Sequence, residues 1–154
     1  MIEKTFELFA DYFQFYLQDE NSNGIDGESW TATAHEARLA LEDSAFAVCT
    51  ARNMDVPVTI VVSDGPPDLD LSSWDHAVEF SVNLPSGKLV VAGCTDYFPE
   101  AERISLASGS YEARVLYANL DRLSEDCLDG DDYYRVELWK GSIKSLRVLK
   151  QYLA

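Results

Sequence analysis

Residues 76–92 read HAVEFSVNLPSGKLVVA, and their period decides the fold class. Val78, Phe80, Val82 and Leu84 alternate with Glu79, Ser81 and Asn83. A spacing of two residues places the apolar set on one face of an extended strand. The following Pro85-Ser86-Gly87 is a turn signal, and Leu89 to Ala92 reads as the return strand of a hairpin.

The same period recurs outward in both directions. Towards the N-terminus, Val58, Ile60 and Val62 form one apolar face, and Phe46, Val48 and Thr50 another. Phe13, Phe15 and Leu17 alternate with Tyr12, Gln14, Tyr16 and Gln18, whereas Phe6, Leu8 and Ala10 have the opposite parity. That change of parity predicts a bulge or break around residues 9–11. Towards the C-terminus, Tyr111, Ala113, Val115 and Tyr117 alternate, and a turn at Ser108-Gly109-Ser110 predicts a second hairpin with Ile104 to Leu106. Tyr134, Val136 and Leu138 mark a last strand. Two segments read as helix. TATAHEARLAL (31–41) contains good helix formers without Gly or Pro, and Ile143, Leu146, Leu149 and Leu153 recur every three or four residues. Val148 and Tyr152 leave a strand open for the second. About eight short strands with little helix predict a mainly β, single-domain antiparallel β-sandwich with one or two short helices over 1–154.

Charge narrows the function. The chain has 27 Asp and Glu against 12 Lys and Arg, net −15. Up to Glu137, 27 acids against eight bases leave −19; Lys140, Lys144, Arg147 and Lys150 bring the total back to −15. Direct nucleic-acid binding needs clustered cations and is not expected. A leader would show a cationic start and an apolar run, and a membrane span about 18 consecutive apolar residues. Neither pattern is present, and Cys49, Cys94 and Cys127 are odd in number and far apart. A cytoplasmic protein without disulfides is the expectation.

Motifs for chemistry are sparse. In DENSNGIDGESW (19–30), Asp19, Asn21, Asn23 and Gly24 stand at calcium-loop positions one, three, five and six, but position twelve is Trp30. The same residues suit a polar turn. His35-Glu36 has no second His four residues on, and Asp75-His76 opens a strand. Cys94 has Asp96 and Glu100 nearby, a poor setting for a thiolate. No phosphate loop, nucleophile elbow, dinucleotide fingerprint or other cofactor motif is present, so an enzyme is not expected. The densest feature is the loop before the last strand. Glu125, Asp126, Asp129, Asp131 and Asp132, followed by Tyr133, put five carboxylates into eight residues. Such a loop is either solvated surface or a polyanionic patch that steers a cationic protein partner. Tyr133, Tyr134 and Trp139 beside it are candidate anchors. A calcium- or small-molecule-binding β module remains the alternative.

Two stretches carry a family resemblance. DYFQFYLQDE (11–20) resembles the opening of the bacterial competence-J proteins. SGSYEARVLYANL (108–120), with DDYYRVELWKG (131–141), resembles their later strand and closing acidic strand. Residues 45–62 are compatible in pattern only. Competence-J proteins are intracellular inhibitors of a DNA-entry nuclease. The resemblance implies a β-rich inhibitor, or immunity-type protein, that binds a nuclease; taken with the acidic surface, the expectation is a bacterial binding protein that blocks a nuclease or toxin by occluding its basic surface.

Overall fold

The computed structural model describes residues 1–141 and 145–153. The alternating segments form eleven strands among these residues: β1 (Ile2–Phe9), β2 (Gln14–Asp19), β3 (Leu39–Glu42), β4 (Ala45–Cys49), β5 (Asp55–Ser63), β6 (His76–Leu84), β7 (Lys88–Ala92), β8 (Glu102–Ser105), β9 (Gly109–Ala118), β10 (Tyr133–Lys140) and β11 (Arg147–Lys150). They make two sheets. The larger runs β1-β5-β10-β9-β6-β11 and the smaller β3-β4-β2-β7-β8. The mainly β, single-domain expectation holds, with one sheet curled into a half-barrel. Pairing is antiparallel except between β10 and β5, which run parallel with Val136 opposite Ile60.

The apolar parity of β1 to β10 faces the space between the sheets. Val58 and Ile60, Val78 and Phe80, Val115 and Tyr117, and Tyr134 and Val136 meet Phe15, Leu17, Phe46, Val48 and Leu89 in one core. Phe46 and Phe80 cross edge-to-face at 4.8 Å. Each such side chain contributes roughly 1.5–3 kcal/mol through burial.

The outer face of the large sheet is not left to solvent either. The segment after β5 passes over it, and Pro67 accepts a hydrogen bond from Arg114 Nη2 at 2.6 Å. Arg114 Nε also meets Glu137 Oε1 at 2.8 Å, and its guanidinium lies 5.1 Å from the Trp139 ring. Trp139 Nε1 donates to Glu112 Oε2 at 2.9 Å. Charges of both signs thus pair on a covered surface, which removes Trp139, 4% exposed, from the candidate anchors.

Both predicted hairpins are corrected. β6 pairs with β9 and β11, and β7 pairs with β2 and β8, so the Pro85-Ser86-Gly87 turn carries the chain from one sheet to the other. Asp19 explains the diversion. Its Oδ1 accepts from Ser86 N at 3.0 Å and Ser86 Oγ at 2.7 Å, tying the turn to the end of β2. β8 likewise lies on β7, and the chain crosses at Gly109 to β9 in the other sheet.

Both helix readings change as well. The helix α1 spans only Ala32–Ala37, with Thr31 Oγ1 accepting from Ala34 N at 3.1 Å as its cap. Arg38, in the left-handed region (φ 62°), ends it. Leu39 and Leu41 then pair opposite Val48 and Phe46 as strand, because their alternation completes the smaller sheet's apolar face. In the tail, Arg147–Lys150 is strand β11 on β6, not helix. Residues 142–144 of the helix predicted over 142–153 lie outside the described residues. No helix among the described residues is long and apolar enough to cross a membrane.

Candidate protein interface at one end of the sandwich

The register brings four loops to one end. Phe9 stands opposite Asp55, and Tyr133 opposite Ala118, so the segments 10–13, 50–54 and 119–132 are neighbours. Backbone hydrogen bonds join them: Ala10 N to Met54 O at 3.0 Å, Thr50 N to Phe13 O at 2.8 Å and Asn53 N to Cys127 O at 2.9 Å. The loop after β7 closes the group through Cys94 N to Phe9 O at 2.9 Å. Gly93 permits that approach, since a Cβ there would stand 2.7 Å from Phe9 O.

The acidic loop is ordered by its own polar groups. Leu123 and Gly130 form an isolated antiparallel bridge. A Cβ at Gly130 would meet Arg122 O at 2.6 Å, so the bridge needs glycine. Ser124 Oγ donates to Asp126 Oδ1 at 2.6 Å and accepts from Asp129 N at 3.1 Å. The Ser124 hydroxyl and the Leu128 amide hold the Asp126 carboxyl below its usual range, so it stays ionised. Glu125, Asp126, Asp129 and Asp131 are exposed.

Asp132 is not, and its place in the candidate contact set is corrected. It is fully buried. Its Oδ1 pairs with Arg52 Nε at 2.8 Å, and its Oδ2 accepts from Tyr134 Oη at 2.7 Å. Tyr134 Oη in turn accepts from Ala51 N at 2.7 Å. Burial, and then the Asp132 charge, push the Tyr134 hydroxyl far above its ordinary pKa, so it remains a donor. This cluster fastens the acidic loop to residues 50–52. Tyr133 is half-buried and stacks on Trp74 at 5.9 Å.

The remaining candidates lie elsewhere or are already engaged. Asp19, Asn21 and Asn23 sit at the opposite end, where β2 terminates. Asp19 is buried, with Oδ1 accepting from Ser86 and Oδ2 from Asn21 N at 3.1 Å. Among the described residues no three His, Cys, Asp or Glu side chains group as a metal site. Asp75 accepts from Leu120 N at 2.9 Å rather than from His76. His76 is fully buried, donating through Nε2 to Ala37 O at 2.7 Å and accepting from Tyr152 N at Nδ1 at 3.0 Å. Cys94 is half-buried, and Cys49, Cys94 and Cys127 are all free thiols.

One part of this end escaped the sequence reading. Tyr12 and Phe13 both have left-handed backbone, with φ of 57° and 61°. For residues with a Cβ this costs roughly 1–2 kcal/mol each. Asp11 Oδ1 accepts from Tyr12 N at 3.0 Å and Asn53 Oδ1 from Phe13 N at 3.3 Å, which holds the turn. The two residues are 75% and 40% exposed and border a crevice of about 210 Å³ that Gln14, Trp30, His35 and Cys49 also line. The parity break near residues 9–11 was the available signal.

No protein-family model matches the chain, and no curated protein sequence matches it. Solved structures do. The crystal structure of ComJ, inhibitor of the DNA degrading activity of NucA, from Bacillus subtilis, superposes with a TM-score of 0.66 at 18% identity, over 90% of this chain and 96% of that one. The protein described as crocagin biosynthetic gene J superposes with a TM-score of 0.59 at 15% identity, over 92% of this chain and all of that one. The chain therefore shares the fold of these proteins over about nine-tenths of its length.

Proposed function

We propose that this chain is a cytoplasmic inhibitor protein that binds a nuclease, or a toxin of similar basic surface, and occludes it without chemistry of its own. The observation that carries the reading is the shared fold with a nuclease inhibitor across nine-tenths of the chain. Fold alone does not assign function. The exposed carboxylates of Glu125, Asp126, Asp129 and Asp131 supply the second support, because they lie on a braced loop rather than a loose one. Such a patch stands in for phosphate in a nuclease groove and raises the rate of encounter with a cationic surface. The contact involves neither nucleic acid nor a membrane, and no cofactor.

The test is capture from lysate by the tagged chain at low and high salt, then separation of the captured proteins from the chain and a DNA-degradation assay on them with and without the chain added back. A captured protein that degrades DNA, and is silenced by the chain at equal stoichiometry, supports the reading. Captured proteins that show no DNA-degrading activity after separation from the chain, at either salt, would sink it.

A further inference from the structure

We propose that the crevice framed by Tyr12, Phe13 and Trp30 is a socket for one arginine side chain presented by a basic protein partner. The left-handed positions 12 and 13 would be less strained as Gly or Asn, yet they hold two bulky aromatics. The sheet crossing between β1 and β2 needs the turn but not the rings. Strain kept at an exposed site, and pinned from both flanks by Asp11 and Asn53, points to use of the side chains. Three-quarters of Tyr12 is open to solvent.

The opposite wall is equally fixed. Trp30 Nε1 donates to Gln14 Oε1 at 2.9 Å, and the Trp30 ring packs on His35 at 5.3 Å, so the indole is already oriented. A cation between aromatic faces is attracted by their quadrupoles. Guanidinium suits such a slot better than ammonium, because it is planar and more weakly hydrated. The surroundings favour positive charge. Asp26 and Glu28 are exposed on the segment that leads into Trp30, and Asn53 connects Phe13 to the acidic loop at Cys127. Arg38, whose charge reaches Cys49 in the crevice, has its guanidinium seated over the Tyr152 ring at 5.0 Å. The socket thus joins the acidic loop in one surface, with steering by carboxylates and anchoring by aromatics. The inference rests on the inhibitor reading only for the partner's being a basic protein.

The socket is tested without that partner. Isotope-labelled chain is titrated with a blocked glycyl-arginyl-glycine peptide and with its citrulline counterpart, which keeps the shape and loses the charge. Saturable shifts of the Trp30 indole N–H and the Phe13 amide are expected, with citrulline at least about tenfold weaker. In a double variant, Tyr12→Asn with Phe13→Asn, the melting temperature stays level or rises while the arginine response at Trp30 disappears. Absence of shifts, equal response to citrulline, or an undiminished response in the double variant would each overturn the socket. A chain that binds arginine here but silences no nuclease would refute the inhibitor reading alone.

Discussion

Neighbouring acids in the same loop have opposite physical roles, and stability separates them. Asp132 is fully buried against Arg52 and Tyr134, whereas Asp131 is exposed. Removing one partner of a buried pair leaves the other charge uncompensated. Asp132→Ala should therefore lower unfolding free energy by about 3 kcal/mol, while Asp131→Ala should stay within about 0.5 kcal/mol; urea midpoints compare them. Equal midpoints would show that the clasp does not brace the loop. Parity held the clue to Asp132, since it is in phase with the inward-facing Tyr134, Val136 and Leu138. Composition concealed it among five acids. His76 sets a second residue-scale test. Burial, aided by the Arg38 charge, depresses its pKa, against the opposing pull of the Ala37 carbonyl. Between that lowered value and the unfolded value of about 6.5, the unfolded chain binds more protons. Stability is thus full above about pH 6.5 and falls as the pH drops through it. The midpoint of thermal unfolding should show that fall, and His76→Gln should flatten it. Parallel profiles for the two proteins would rule out His76 as its source.

At the scale of elements, alternation identified strands but not their neighbours. A period of two states which side chains face the core; it does not state which strand supplies the next hydrogen bond. The turn at 85–87 has hairpin composition, yet Asp19, sixty-odd residues away, directs it into the other sheet. Helix propensity in 31–41 lost at Leu39 for a similar non-local reason, the unfilled place beside β4. The tail was ambiguous because Val148 suits a strand while the Leu spacing suits a helix, and β6 had an edge to cover. That cover is testable. Arg147 Nη2 pairs with Glu79 at 3.0 Å, Lys150 donates to Leu71 O at 2.9 Å and Tyr152 caps His76. Deleting residues 147–154 bares the β6 edge and takes away the charged side chains that discourage strand-to-strand association. Light scattering should then give a greater mass per particle than the full chain shows at equal concentration. An unchanged mass would mean that β6 is protected by other means.

For the whole molecule, net charge and charge placement make different predictions. An overall −15 attracts any cationic protein from a distance, whichever face it meets. A braced acidic loop beside an aromatic crevice attracts it to one end. Reversing Asp129 and Asp131 to Lys gives a chain of net −11, since each reversal adds two charges. Reversing Asp43 and Asp64, exposed at the opposite end, gives the same −11. If placement governs, the first pair slows association with a captured nuclease several-fold at low salt and flattens the dependence of the rate on ionic strength, while the second pair leaves both near the parent. Dissociation should change little in either, because rim charges act mainly on encounter. Stopped-flow association across a salt series distinguishes the cases. Equal slowing by both pairs would assign the effect to total charge and remove the loop from the interface, leaving Tyr12 and Phe13 to be judged by the arginine titration alone.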